Sequence, residues 1–236
     1  MTRLLLWRGM LAGLAGAFVA ATFALLVAEP HVDAAIAFEA RHALHHGQVE
    51  LVSRATQKTL GLYTAMLLYG TALGGLLAIV VAACHGRVGA VPPRALALLL
   101  AALACVVLVL APALKYPPTP PAVGLHETVR LRTGAFLAML AGSLLAALGG
   151  ARVAQRLGPT LTPLDRWLAG GFVYVASVTL VAALLPRVDE VPTDFPASLL
   201  WQYRVAAIAA QLIFWLVTAE LFGRLAQPLL APRVAR

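Results

Sequence analysis

Imidazoles and carboxylates gather in one short run of this chain, FEARHALHHGQVE, from Phe38 to Glu50. Nitrogen and oxygen ligands in that mixture suit borderline divalent ions such as Co²⁺, Ni²⁺ and Zn²⁺, whereas Ca²⁺ takes oxygen alone. On a helix turning about 100° per residue, Glu39, His42, His46 and Glu50 fall within an arc of roughly 80°, with His45 about 60° from His42. Such a face can present several ligands to one ion. Gly47 lowers helix propensity in the middle of the run. The spacing also lacks the tight pattern of a zinc finger, so the metal site expected is weak and exchangeable. A solvated amphipathic loop in which histidine is merely tolerated would have the same composition.

Two further polar clusters carry chemistry. In LKYPPTPPAVGLHETVRLRTG, Leu114 to Gly134, the prolines Pro117, Pro118, Pro120 and Pro121 impose a stiff, extended backbone. Gly124 then lets the chain turn, and His126 and Glu127 precede Arg130 and Arg132. This segment reads either as a rigid connector or as a docking ledge on which His126 and Glu127 add ligands. In PRVDEVPTDFPASLLWQYR, Pro186 to Arg204, the acids Asp189, Glu190 and Asp194 make a negative surface that concentrates cations. Trp201 and Tyr203 have the character of interfacial anchors, and Arg204 is a candidate partner for one of these acids.

The elements that must position these clusters follow from composition. Of 236 residues 61% are hydrophobic and only 12% charged, and the mean hydropathy is +0.86. Soluble domains average about 45–50% apolar and about a quarter charged. The expected fold is therefore all-α, a polytopic helical bundle in a lipid bilayer forming a single transmembrane domain over 1–236. Crossing about 30 Å of hydrocarbon takes roughly 20 apolar helical residues. Six runs qualify: 4–28, 59–84, 95–114, 133–151, 167–185 and 205–222, leaving 29–58 as a loop bearing histidine and acid. The first run is longer than a signal-peptide core, so an uncleaved anchor is expected.

Six spans put both termini on one side. Ten of the 18 Lys and Arg fall in the termini and in the segments after spans two and four. That bias places both termini in the cytoplasm of an inner (plasma) membrane protein. Five of the six histidines and eight of the ten acids then lie in the outer loops. His85 is the exception among the histidines, and Glu220 sits near the inner end of the last span, within snorkelling reach of water. Gly9–Gly13 and Gly70–Gly74 have the GxxxG spacing of closely packed membrane helices. The charge of +8 accumulates beside apolar runs, which argues orientation rather than nucleic-acid binding. Cys84 and Cys105 have no metal or redox spacing. No GxxxxGK[ST] loop is present, and no histidine within a span could activate Ser143, Ser177 or Cys105, so an enzyme is not expected.

Three blocks carry a family resemblance: VSRATQKTLGLYTAMLLYGTALGGLLAIV, LKYPPTPPAVG followed by Arg132–Thr133–Gly134, and VDEVPTDFPASLLWQYRVA. They resemble the CbtA family of probable cobalt transporter subunits. The resemblance implies Co²⁺ as the transported ion, with no permanently bound cofactor, and a small single-span companion (CbtB-like) that bears histidines. It matches Glu29 through His46 to the family's variable histidine-bearing loop. Lys115, Tyr116, Pro117, Pro120, Pro121 and Gly124 match its proline signature, and Asp194, Pro196, Trp201 and Arg204 its third block. Leu125, which stands between Gly124 and His126, departs from the pattern. The function implied is a membrane subunit for uptake of cobalt or a related divalent ion. The alternative from another class is a membrane scaffold or metal sensor that docks a partner and passes no ion, a reading kept open by the lack of mid-span charges.

Overall fold

Hydrocarbon offers backbone amides no hydrogen-bond partner, so an apolar run that enters it must close its own bonds as a helix. The computed structural model describes residues 2–42, 52–121, 123–124, 126–158 and 161–230. Among these residues there is no strand, and six helices are long and apolar enough to span a membrane. They are α1 (Thr2–Arg41), α2 (Arg54–Cys84), α3 (Pro93–Lys115), α4 (Val129–Arg156), α5 (Pro163–Leu184) and α6 (Ala197–Leu230). Large apolar side chains stand exposed along them, for example Leu11, Leu68, Leu145, Phe172 and Leu216. In water that surface would be a liability; in a bilayer it meets lipid.

Helix boundaries follow local chemistry. Gly86 and Gly89 take the left-handed φ values of +75° and +91° that turn the chain after α2. Pro93 opens α3, where its missing N–H costs nothing, and Pro117 prevents α3 from continuing. Thr162 caps α5 by accepting from the Asp165 amide at 3.2 Å. Two interruptions share a cause. The π-turns Ala24–Ala28 in α1 and Val106–Leu110 in α3 each end two residues before a proline, Pro30 and Pro112. A proline inside a helix gives no N–H to the carbonyl four residues back and crowds it, and a π-turn relieves both faults. A third π-turn, Gln57–Gly61 in α2, has no proline behind it.

α1 runs well past its apolar part. Residues Glu29–His42 continue as helix, with Val32, Ala35 and Phe38 forming one buried stripe.

The chain divides into two compact units, Met1–Cys105 with Pro196–Arg236, and Val106–Phe195. In the first, α1 packs against α2 and α6, and the first half of α3 packs against α6. The two GxxxG motifs face each other: a Cβ on Gly13 would collide with the Gly70 carbonyl oxygen, and one on Gly74 with that of Gly9. Gly16 lies against Thr218, and Gly223 against Arg94. At the Arg8 end of this unit, Glu220 accepts a forked pair of bonds from Arg94, at 2.9 and 2.7 Å, and a third from Arg224. The acid near the end of α6 is therefore neutralised by two guanidinium groups.

In the second unit α4 packs against α5 with backbones in contact at Gly150 and Gly170. Ser143, fully buried on α4, donates to the Val107 carbonyl at 2.7 Å, within the π-turn of α3. Its hydroxyl also lies 3.1 Å from that of Tyr174.

Candidate functional site

The candidate ligands fall on two polar segments, one in each unit. In the first unit, Glu39 is exposed on the continuation of α1, and His42 closes that helix three residues later. Their spacing sets them on consecutive turns. His45, His46 and Glu50 lie outside the described residues.

At the base of this helix is an ion-pair network absent from the ligand set expected above. Glu29 and Asp33 stand four residues apart on α1, and Arg54 and Lys58 four apart on α2. Arg54 bonds to Glu29 through Nη2 and to Asp33 through Nε at 3.0 Å, while Lys58 reaches the other Asp33 oxygen at 3.1 Å. The start of α2 is built to hold Arg54. Ser53 caps it, accepting from the Thr56 amide at 3.4 Å, and Gln57 donates to the Val52 carbonyl at 2.8 Å. The matched i,i+4 spacings of two acids and two bases were the available sequence signal.

Beside this network an apolar groove of about 270 Å³ lies between α1 and α6. Phe23, Val27 and Val205 line it, and His31 and Gln202 are among its polar members.

In the second unit the proline-rich segment is fixed at several points. The Tyr116 hydroxyl donates to the Pro186 carbonyl at 2.7 Å. Burial pushes the pKa of that phenol up, so it keeps its proton, and its role as donor, through neutral pH. Gly124 takes a φ of +123°, in the left-handed region, and the Arg132 guanidinium packs where its Cβ would be. Arg132 in turn pairs with Glu190 at 3.4 Å, joining the second polar cluster to the third. His126 begins the short turn His126–Thr128 ahead of α4, and Glu127 in it is exposed.

The structure thus sets Glu39 and His42 on one helix, and His126 and Glu127 in one turn. Among the described residues no three His, Cys, Asp or Glu side chains converge to hold a metal ion. Each described pair offers one imidazole-bearing and one carboxylate-bearing residue in sequence proximity, which is short of a complete coordination shell.

No curated protein and no solved structure matches this chain. The family described as probable cobalt transporter subunit (CbtA) matches residues 2–227 of the 236, from the start of α1 almost to the end of α6, and the chain belongs to that family.

Proposed function

We propose that this chain is the membrane subunit of a cobalt uptake transporter, and that it collects Co²⁺ on Glu39, His42, His45, His46 and Glu50, with His126 and Glu127 as further ligands. Family membership gives the coarse reading, a cobalt transporter subunit with membrane-spanning helices. The observation that supports the finer one is the helix Glu29–His42, which carries Glu39 and His42 beyond the apolar part of α1. Both termini lie in the cytoplasm, the collecting segment faces outward, and the protein resides in the inner (plasma) membrane.

The segment's work is capture and release. Imidazole and carboxylate bind a borderline divalent ion, and an incomplete ligand set lets it go again. Co²⁺ is cargo rather than a resident cofactor, and no bond of a substrate is made or broken by the chain. A membrane potential of 100 mV supplies about 4.6 kcal/mol for a divalent cation moving inward. A small single-span subunit bearing histidines (CbtB-like) completes the transporter.

The test is uptake of radioactive Co²⁺ by cells lacking other cobalt importers, expressing the chain alone, with its companion, and as a His42/His45/His46→Ala triple variant. Saturable uptake with the companion, lost in the triple variant at low metal, is the expected result. Uptake no greater than in empty-vector cells, with both subunits in the membrane, would sink the transporter reading in favour of a docking scaffold.

A further inference from the structure

The network of Glu29, Asp33, Arg54 and Lys58 has no place in the capture or passage of the ion, yet among the described residues it joins four charged side chains by three ion pairs. We propose that Arg54 and Lys58 are positioning residues: they fix the rotation of the helix Glu29–His42 about its axis, and so the direction in which Glu39 and His42 are presented. This rests on the reading of Glu39 and His42 as collecting ligands.

Three observations carry it. The first is the double match of spacing. One guanidinium bridges two carboxylates a helical turn apart on α1, and Lys58, a turn further along α2, holds the second of them again. A single ion pair leaves two helices free to roll on each other; pairs on two successive turns do not. The second is partial burial. The Glu29 side chain is only 13% exposed and that of Arg54 26% exposed, so these charges are less screened by water and salt than an ordinary surface pair.

The third is the phase of the helices. Gly13 marks the side of α1 that faces α2. At about 100° per residue without interruption, Glu29 would lie about 160° around α1 from Gly13, and Asp33 about 200°, both on the far side. A π-turn inserts one residue, so Ala24–Ala28 turns everything beyond it back by about 100°. Glu29 and Asp33 come to about 60° and 100° from Gly13, within reach of α2. The same holds across the seam. Arg54 would lie about 160° from Gly70 on an uninterrupted α2, and the π-turn Gln57–Gly61 brings it to about 60°. Two interruptions in two helices therefore aim Glu29 and Asp33 at Arg54, while Lys58 lies within the second π-turn itself. Pro30 accounts for the first, and no proline accounts for the second, which leaves the network itself as the feature the second serves.

The experiment reads geometry and cobalt separately. Spin labels go on the exposed positions 40 and 52, as Ala40→Cys and Val52→Cys in a full chain carrying Cys84→Ser and Cys105→Ser, and the distance distribution between them is measured in lipid nanodiscs. Uptake of Co²⁺ is measured in parallel on unlabelled chains with the companion present. Arg54→Ala is expected to broaden the distance distribution and raise the half-saturating Co²⁺ concentration about tenfold at unchanged maximal rate, because the presenting orientation is then populated only part of the time. Lys58→Met removes one contact of a half-exposed side chain and is expected to move both readouts the same way by a smaller factor; it covers a failure of Arg54→Ala to reach the membrane. Arg54→Lys, which keeps charge but loses the fork, should recover part of the loss.

A distribution that stays narrow in both Arg54→Ala and Lys58→Met overturns the proposal whatever the cobalt result. So does a broadened distribution with an unchanged half-saturating concentration. If the wild-type chain takes up no Co²⁺ while the distribution broadens as expected, the collecting reading fails and the fixing of the helix by Arg54 and Lys58 stands.

Discussion

The two units hold a polar segment at the end of an apolar bundle by opposite means. In the first, the segment is itself a helix, and charges on two neighbouring helices fix it from below. In the second, the segment is stiff because its backbone is proline, and it is fixed by a hydroxyl on a carbonyl, a guanidinium over a glycine, and one ion pair. The interiors differ as well. α1 and α2 touch backbone to backbone at two successive glycine pairs, whereas α5 buries only Gly170 among its residues. A helix packed backbone to backbone at two levels can carry an extension whose direction matters. α5, which meets α4 backbone to backbone only at Gly150 and Gly170 among the described residues, is better served by a strap that is rigid on its own.

The strongest way to break this contrast is to widen the glycine seam of the first unit. Gly74→Ala puts a methyl group against the Gly9 carbonyl and the Gly13 backbone, neither of which can yield without separating the helices. A loss of about 3 kcal/mol is expected in denaturant unfolding in micelles. Gly149→Ala, whose new methyl meets nothing within 4 Å, should change stability by less than about 0.5 kcal/mol. Equal effects from the two would remove the claim that the seam holds the first unit together.

Next in size is the strap. Gly124→Ala asks a residue with a Cβ to adopt a φ of +123° and displaces the Arg132 guanidinium. A cost of about 2 kcal/mol is expected, read as a lowered thermal midpoint in detergent. The outcome that sharpens the comparison is a change confined to the second unit, with the label distances in the first unit unmoved. The smallest expected effect is that of Tyr116→Phe, which deletes one hydroxyl and its bond to Pro186. About 1 kcal/mol should be lost, and proteolysis of the proline segment should quicken only slightly. A collapse of the second unit in this variant would mean that the prolines do not stiffen the strap by themselves.

Legibility in the sequence divided along the same line. The six spans were readable because hydropathy is a local property of each run, and the two GxxxG motifs because close approach demands glycine at that spacing. The continuation of α1 through Glu29–His42 was not readable from hydropathy, since Glu29, His31, Asp33 and Glu39 interrupt the apolar run while leaving helix propensity intact. The π-turns were hidden because they depend on hydrogen-bond geometry, although Pro30 and Pro112 pointed to two of them. Pairing was the least visible. Glu29 and Asp33 meet bases more than 20 positions away, and Glu190 meets Arg132, from another polar cluster. The sequence suggested Arg204 as a partner for one of Asp189, Glu190 and Asp194, and gave no sign that Arg132 would meet Glu190. The candidate ligands were named from residue type and helical spacing, and for His45, His46 and Glu50 that remains the basis.

The length of the continued first helix has an electrostatic consequence. At about 1.5 Å per residue, Glu39 stands about 15 Å and His42 about 20 Å beyond Glu29 along the axis. The Debye length in physiological salt is about 8 Å. On the proposed reading, with Glu29 at the level of the headgroups, collecting ligands raised that far would sample the ion concentration of bulk solution rather than the layer enriched by anionic lipid. Their occupancy would then be set by free cobalt and by their own chemistry, and a cell that remodels its lipids would not retune them.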